Sequence, residues 1–254
     1  MADACNRWFS VWMRNALTWS KSARTALLGG FADPLFNLLA LGYGLGFYVG
    51  RVDDMSYLQF LAAGILSTSA MNSATHEGLY MAYTRMAVLR TWDAMLAAPL
   101  SILDIMLGEL LWLGTRSLIS AGLILCVVTV SGMASGWMLL GILPLAVMTG
   151  FCFGAMALLV TSLAARYDFF SYYITLIVTP MVLLSGVFFP FAALPEQIRQ
   201  LAALLPLYHI VTMVRGLVGG SFVPADLAHM LVPLIYMSLA LVLVHRRLSN
   251  RLLG

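Results

Sequence analysis

Two charged side chains interrupt the apolar stretch 102–130. Glu109 and Arg116 lie seven positions apart, so on an α-helix they face the same direction but are separated by roughly 10 Å along the axis. Direct bonding between them is therefore not expected. Charges in apolar helices are costly and usually face a bundle interior or an aqueous cavity. Either the two residues line the path of a polar molecule, or Glu109 lies at a membrane interface and Arg116 pairs structurally with another helix.

Four further side chains are candidates for contact with such a molecule. Tyr172 and Tyr173 stand near the start of the apolar stretch 169–189, while Tyr208 and His209 follow a proline further on. Tyrosine rings could stack on sugar rings, although they are also typical of the aromatic belt at a membrane surface. His209 could line an exit from the membrane, or it could be hydrogen-bonded at a helix end with no further role.

The sequence contains no motif for nucleotide binding, hydrolysis or metal coordination. The patterns GxxxxGK[ST] and HExxH do not occur, and Cys5, Cys126 and Cys152 show no CxxC spacing. We therefore predict no catalytic residues, no metal and no cofactor bound by this chain. An intramembrane enzyme is the least supported reading, because no Ser/His or paired-Asp arrangement recurs at membrane depth.

The composition indicates that these side chains are positioned by helices in a lipid bilayer. The chain has 254 residues, 61% of them hydrophobic and 10% charged, whereas soluble domains average about 45–50% and about 25%. At about 20 residues per span, it has room for six helices and short loops but not for a second soluble domain. The net charge of +3 is too small to suggest nucleic acid as a partner. We expect a single all-α integral membrane domain over residues 1–254.

Hydropathy predicts six transmembrane helices together with an interfacial helix and a re-entrant pair. Arg7, Arg14 and Lys21 recur every seven residues opposite a tryptophan-rich face, which is typical of an interfacial helix and predicts one over 1–26; the alternative is a juxtamembrane start to the first span. Residues 190–224 contain two proline-led segments too short to cross a bilayer, which predicts a re-entrant outer helix pair between spans five and six. The spans are expected at about 31–50, 57–75, 102–130, 137–164, 169–189 and 225–244.

Basic residues are concentrated on one side of this predicted topology. An even number of spans places both termini on the same side, together with the polar segment 76–101 and the short link 165–168. These regions hold most of the lysine and arginine residues. Because cytoplasmic loops carry an excess of positive charge, we expect both termini and the 76–101 loop in the cytoplasm.

Two stretches of this topology resemble the ABC-2 family of exporter permeases. RTWDAMLAAPLS at 90–101 resembles the family's coupling-helix segment, a charged helix closed by Pro-Leu-Ser. LSGVFFP at 184–190 and the proline pattern that follows it resemble the family's outer segment. The NodJ branch is similar in more detail, in the runs AAGI (62–65), SAMNSAT (69–75), RM (85–86), DI (104–105) and LGE (107–109).

The resemblance implies a homodimeric permease of an ATP-driven exporter in a bacterial inner membrane. Members of the NodJ branch pair with a NodI-type ATPase and export lipo-oligosaccharides. Two ATPase subunits, which would bind the ATP and Mg, are then expected on the cytoplasmic face. The cargo is expected to be a lipo-oligosaccharide or a similar glycolipid-like amphiphile. An efflux permease for drugs or other hydrophobic compounds has the same architecture and is the alternative.

The segment 84–98 is the expected docking element for these ATPases. It can form a short helix of mixed charge bounded by a proline, and such a helix can sit in a groove and transmit a rigid-body movement; without the resemblance, an ordinary solvated loop would be as good a reading. The coupling residues predicted from it are Arg85, Arg90, Thr91, Trp92, Asp93, Met95, Leu96 and Pro99.

Overall fold

The computed structural model describes residues 7–52 and 55–252, and within them the chain is mostly helical. The first six residues of the predicted interfacial helix, with Cys5, lie outside this range. The long helices are α1 (Arg7–Ser20), α2 (Ala23–Val49), α3 (Tyr57–His76), α5 (Ile102–Val130), α6 (Ile142–Leu163), α10 (Pro206–Gly219) and α11 (Leu231–Leu252). The short ones are α4 (Thr91–Ala97), α7 (Asp168–Tyr173), α8 (Thr179–Leu184) and α9 (Glu196–Ala202).

Short irregular elements complete the chain. Strands β1 (Arg51–Val52) and β2 (Met55–Ser56) pair antiparallel between α2 and α3. Further helical turns join the longer helices: π-helical ones at Glu77–Met81, Thr84–Val88 and Ile174–Val178, and 3₁₀ ones at Trp137–Gly141, Phe191–Ala193 and Pro224–Met230.

Capping boxes fix the starts of the two central helices. At α3, Ser56 Oγ accepts from Gln59 N at 3.2 Å while Gln59 Oε1 accepts from Ser56 N at 3.1 Å. At α5, Ser101 Oγ accepts from Asp104 N at 3.2 Å while Asp104 Oδ2 accepts from Ser101 N at 2.9 Å. Such boxes satisfy backbone donors that a helix start leaves unpaired. The start of α5 is thereby set directly after α4.

Glycines let the central helices α3, α5 and α6 approach closely. A Cβ on Gly150 of α6 would lie 2.7 Å from the Cα of Gly114 on α5, and one on Gly78 would lie 2.7 Å from the Cβ of Ala157. Small residues at helix contacts are how membrane helices pack, because lipid provides no hydrophobic drive between them. The large buried side chains Trp112 and Phe153 fill the space around these contacts.

Three helical segments of the described residues are long and apolar enough to cross a membrane: Ile102–Val130, Trp137–Leu163 and Pro224–Asn250. Helices α9 and α10 would form a fourth together, but they are bent by 90° at their junction. The expectation of an α-helical membrane protein is confirmed. The number of six spans and the re-entrant pair stay predictions.

Two helices extend beyond the expected spans. Helix α2 begins at Ala23 rather than near 31 and includes Pro34. Helix α3 does not stop at 75, since the chain stays helical to Val88 through the two π-helical turns. The first half of the segment expected as a loop, 76–101, is therefore helical, and its charged residues Glu77 and Arg85 lie within the bundle.

Helix α1 packs along α5. Val11 is buried, and a Cβ on Gly108 would lie 2.5 Å from its Cβ. Trp12 Nε1 donates to Thr115 Oγ1 at 3.0 Å. The tryptophan side of the predicted amphipathic helix thus includes contacts to the bundle, which bring α1 next to Glu109 and Arg116.

Candidate functional site

A largely buried arginine joins two carboxylates between the extension of α3 and α5. Arg85 Nε and Nη2 donate to the two oxygens of Glu109 at 3.0 and 2.6 Å, and Nη1 donates to Glu77 Oε1 at 3.0 Å. The Glu109 side chain has no exposed surface. Bidentate, charge-assisted bonds of this kind are among the strongest in proteins. They hold the extension of α3 against α5.

Two tryptophans complete the coordination of these carboxylates. Trp92 of α4 donates from Nε1 to Glu109 Oε1 at 3.3 Å, and Trp112 of α5 donates to Glu77 Oε1 at 2.9 Å. Trp92 is almost fully buried although α4 is a short surface helix. Helix α4 is therefore attached to the charge network through its second residue.

Arg116 forms the far end of the network. Its Nε lies 3.4 Å from Glu77 Oε2, and its guanidinium carbon lies 4.9 Å from the ring centroid of Trp19 on α1. The order Glu109–Arg85–Glu77–Arg116 alternates in sign and sums to zero charge. The Arg116–Glu77 contact is an ion pair without a hydrogen bond from Nε, and buried charges are tolerated when they are paired in this way. We refer to these four residues as the charge network.

A cavity of about 590 Å³ opens between α2, α3 and α5, next to this network. Arg116 and Glu77 contribute to its wall, so the charge network ends at the cavity. The other lining residues are Trp19, Ser22, Leu27, Gly29, Gly30, Asp33, Pro34, Ser69, Asn72, Ser73, His76, Tyr80, Met81, Ile119, Ser120 and Leu123.

The two charged residues singled out from the sequence lie at different depths. Glu109 and Arg116 do not bond each other, as their spacing indicates, and both join the charge network. Arg116 reaches the cavity, whereas Glu109 is enclosed between Arg85 and Trp92 and is not in the cavity wall. Contact of either residue with a transported molecule stays a prediction.

The four aromatic and imidazole candidates lie away from this cavity. Tyr172 is exposed and Tyr173 is buried, and neither is in the cavity wall. Tyr208 and His209 belong to another cluster, in which His209 Nδ1 lies 2.7 Å from His229 Nδ1 and its Nε2 lies 2.8 Å from Ala203 O. The second contact fixes Nε2–H as the donor, because a carbonyl oxygen only accepts.

The predicted coupling residues divide into an inward and an outward set. Arg85 and Trp92 point into the charge network, and Met95 and Leu96 pack partly against the core. The exposed residues are Arg90, Asp93 and Pro99, with Thr91 half-buried. Arg90 adopts a left-handed φ of 47° at the start of α4. Docking of a partner on the outward set stays a prediction.

Helix α1 supports the start of α4. Arg14 Nη2 donates to Thr91 Oγ1 at 3.4 Å. Partial burial, and after it repulsion from Arg85, lowers the pKa of Arg14, while Glu109 acts in the opposite sense. Arg14 thus lies within electrostatic reach of the charge network, at the point where α1, α4 and α5 meet.

Glu77, Trp112 and Trp19 are site residues that the sequence reasoning did not select. Glu77 was expected in a loop, where a carboxylate needs no partner. The useful signal in the sequence is the spacing of the apolar residues at 79, 82, 83 and 86, which continues the helical period of α3 past position 76. Trp112 lies three positions after Glu109, one helical turn along α5.

Comparison with known proteins identifies the family. The model of the ABC-2 type transporter family matches residues 6–218. Nodulation protein J of Bradyrhizobium diazoefficiens is 46% identical over 214 residues, covering 84% of this chain and 81% of that protein. Nodulation protein J of Sinorhizobium fredii is 44% identical over 208 residues, or 82% and 79% of the two chains.

A third relative extends the match to nearly the whole chain. Nodulation protein J of Rhizobium leguminosarum bv. viciae is 42% identical over 246 residues, which cover 97% of this chain and 95% of that protein. No solved structure matches. The resemblance to the NodJ branch is therefore confirmed, and the chain belongs to the ABC-2 type transporter permease family.

Proposed function

We propose that this chain is the membrane-spanning subunit of an ATP-driven exporter that moves a lipo-oligosaccharide, or a similar glycolipid-like amphiphile, across the bacterial inner membrane. The family makes it the membrane subunit of a transporter rather than an enzyme. The relatives share the name nodulation protein J, which agrees with the branch whose resemblance implies a lipo-oligosaccharide as cargo.

The observation that carries this proposal is the continuous link from α4 to the cavity. Trp92 of α4 bonds Glu109, Arg85 bonds Glu109 and Glu77, and Glu77 pairs with Arg116 in the cavity wall. We expect a push on the outward face of α4 to move Trp92 and, through its hydrogen bond, to displace the Glu109 carboxylate. Packed interiors transmit strain rather than absorb it. The displacement is therefore expected to shift Glu77 and Arg116 in the cavity wall.

The proposed partners are those that the family implies. Two NodI-like ATPase subunits bind ATP and Mg and dock on the outward face of α4, and a second copy of the permease completes the path within the membrane lipid. Both termini and α4 then lie in the cytoplasm. The chain itself binds no cofactor and no nucleic acid.

Transport by inverted membrane vesicles tests the proposal. Vesicles containing the chain and its ATPase are supplied with ATP and a radiolabelled acylated tetrasaccharide. Accumulation is expected only with ATP and only when both proteins are present. Matched vesicles receive a lipophilic cationic dye. If the vesicles take up the dye but not the acylated tetrasaccharide, drug efflux is favoured. If they take up neither compound in an ATP-dependent manner, the exporter is refuted.

A further inference from the structure

The wall of the cavity between α2, α3 and α5 presents a ladder of side chains with unused hydrogen-bonding capacity. Asn72 and His76 of α3 and Tyr80 of the π-helical turn that extends it follow one another at four-residue spacing, so they share one face. The side chains of Asn72 and His76 are exposed and make no hydrogen bond to the described residues, 7–52 and 55–252. The His76 ring is stacked on Tyr80, with centroids 5.7 Å apart and planes tilted by 13°.

The charges around the cavity do not favour an ionic ligand. The positive charge of Arg116 is opposed by Glu77 at 3.4 Å, and Glu77 is shared with Arg85. Asp33 of α2 adds a carboxylate to the opposite side of the wall. A phosphate group would meet both carboxylates. The wall offers the Asn72 amide, the His76 imidazole, the Arg116 guanidinium and the Glu77 carboxylate. An uncharged group that both donates and accepts hydrogen bonds can bond all four.

Aromatic and aliphatic surfaces cover the remainder of the wall. The Trp19 ring lies beneath Arg116, and its indole N–H is buried without a hydrogen-bond partner among the described residues. A buried donor of this kind can be satisfied by a ligand oxygen. Leu27, Ile119 and Leu123 add apolar surface. The volume of about 590 Å³ lies within the usual range of roughly 300–1,000 Å³ for ligand pockets.

We infer that this cavity binds the uncharged sugar head of an amphiphile, with Asn72, His76 and Arg116 as its hydrogen-bonding residues, an assignment that rests on the proposed function. The sugar hydroxyls bond the side chains of α3 and α5, sugar faces pack on the Trp19 and Tyr80 rings, and the alkyl chain follows the apolar side. In the proposed orientation the cavity lies in the cytoplasmic half of the membrane, where a newly made amphiphile is loaded.

Photolabelling of the full chain in lipid nanodiscs tests this site without the ATPase. The probe is dodecyl maltoside with a diazirine on its sugar head. Cross-links are expected in peptides that contain 69–81 or 116–123. Asn72→Leu should weaken apparent binding about 2- to 13-fold, the range expected for one hydrogen bond of about 0.5–1.5 kcal/mol. The control Asn250→Leu makes the same change at the end of α11, outside the cavity wall, and should bind as wild type does.

Each outcome bears on the site directly. Cross-links confined to other peptides, or wild-type binding by Asn72→Leu, would overturn the assignment. Dodecyl phosphate is expected to compete at least tenfold more weakly than unlabelled dodecyl maltoside, and equal competition would overturn the choice of an uncharged head.

The vesicle assay separates this site from the exporter itself. If Asn72→Leu exports as well as the wild type does, the cavity is not part of the transport path, but the exporter proposal stands. If vesicles with the wild-type chain do not export, the exporter proposal is refuted. The binding site is not, because the binding measurement does not use ATP.

Discussion

Arg85 is the residue on which the pairing of the buried charges depends. It satisfies both oxygens of Glu109 and one oxygen of Glu77. Glu109 has no exposed surface, so water cannot replace the guanidinium if it is removed. Breaking a buried ion pair from one side leaves an uncompensated charge, which typically costs 3–5 kcal/mol.

We predict that Arg85→Leu lowers the free energy of unfolding by about 3–5 kcal/mol, measured by thermal unfolding in detergent. The double variant Arg85→Leu/Glu109→Leu should recover part of this loss, because it leaves the neutral pair Glu77 and Arg116. Arg199→Leu, which removes an exposed partner of Glu196, should change stability by less than about 1 kcal/mol. A double variant less stable than the single one would contradict the charge network.

At the scale of elements, α5 and the extension of α3 show what the sequence predicts and what it does not. On α5, the seven-residue spacing of Glu109 and Arg116 correctly indicated that they do not bond each other. Their actual partners could not be derived, because Glu77 and Arg85 stand in a stretch whose polarity suits either a solvated loop or a buried network. Single-sequence polarity does not distinguish these two, and only the packing of α3 beside α5 does.

Helix α4 is expected to act through one hydrogen bond. Trp92→Phe keeps an aromatic ring in the buried position but removes the N–H that bonds Glu109. We predict that the ATPase still co-purifies with this variant while ATP-dependent export by vesicles falls several-fold. Trp137→Phe is the matched control, since Trp137 is exposed and distant in sequence. Unchanged export in Trp92→Phe would exclude this bond from the coupling path.

The contact of α5 with α6 requires a glycine. A Cβ on Gly150 would meet Gly114 Cα and Ser117 Oγ, both at 2.7 Å, whereas one on Gly122 has no atom within 4 Å. We predict that Gly150→Ala destabilises the protein by about 1–3 kcal/mol through overpacking. Gly122→Ala should be neutral or stabilising by up to about 1 kcal/mol. Equal thermal unfolding of the two variants would contradict this helix contact.

At the scale of the whole molecule, composition alone predicted the class but not the count of membrane-crossing helices. Three described segments meet the requirements of length and hydropathy, and α9 with α10 is bent by 90°. Helix α3 is a case where hydropathy is a weak guide, because its serines, threonines and Asn72 lower it while its neighbours bury most of its side chains. The family, in contrast, was recognisable from short motifs along the chain.

Labelling of introduced cysteines with a membrane-impermeant thiol reagent tests the orientation. In a background without native cysteines, Asp93→Cys on α4 should react only in inverted vesicles, and Gln200→Cys on α9 should react in intact spheroplasts. Both positions are exposed, so accessibility depends on the side of the membrane. Reaction of Asp93→Cys from outside would reverse the topology and remove the docking of an ATPase on α4.

The division of the charge network between α3 and α5 has a consequence for biosynthesis. Arg85 is translated before Glu109, so α3 and its helical extension leave the ribosome with this arginine paired only with Glu77, an arrangement that is unfavourable in lipid. We expect α3 and its extension to partition stably only after α5, which carries Glu109, has emerged from the ribosome, so that the two integrate as a pair.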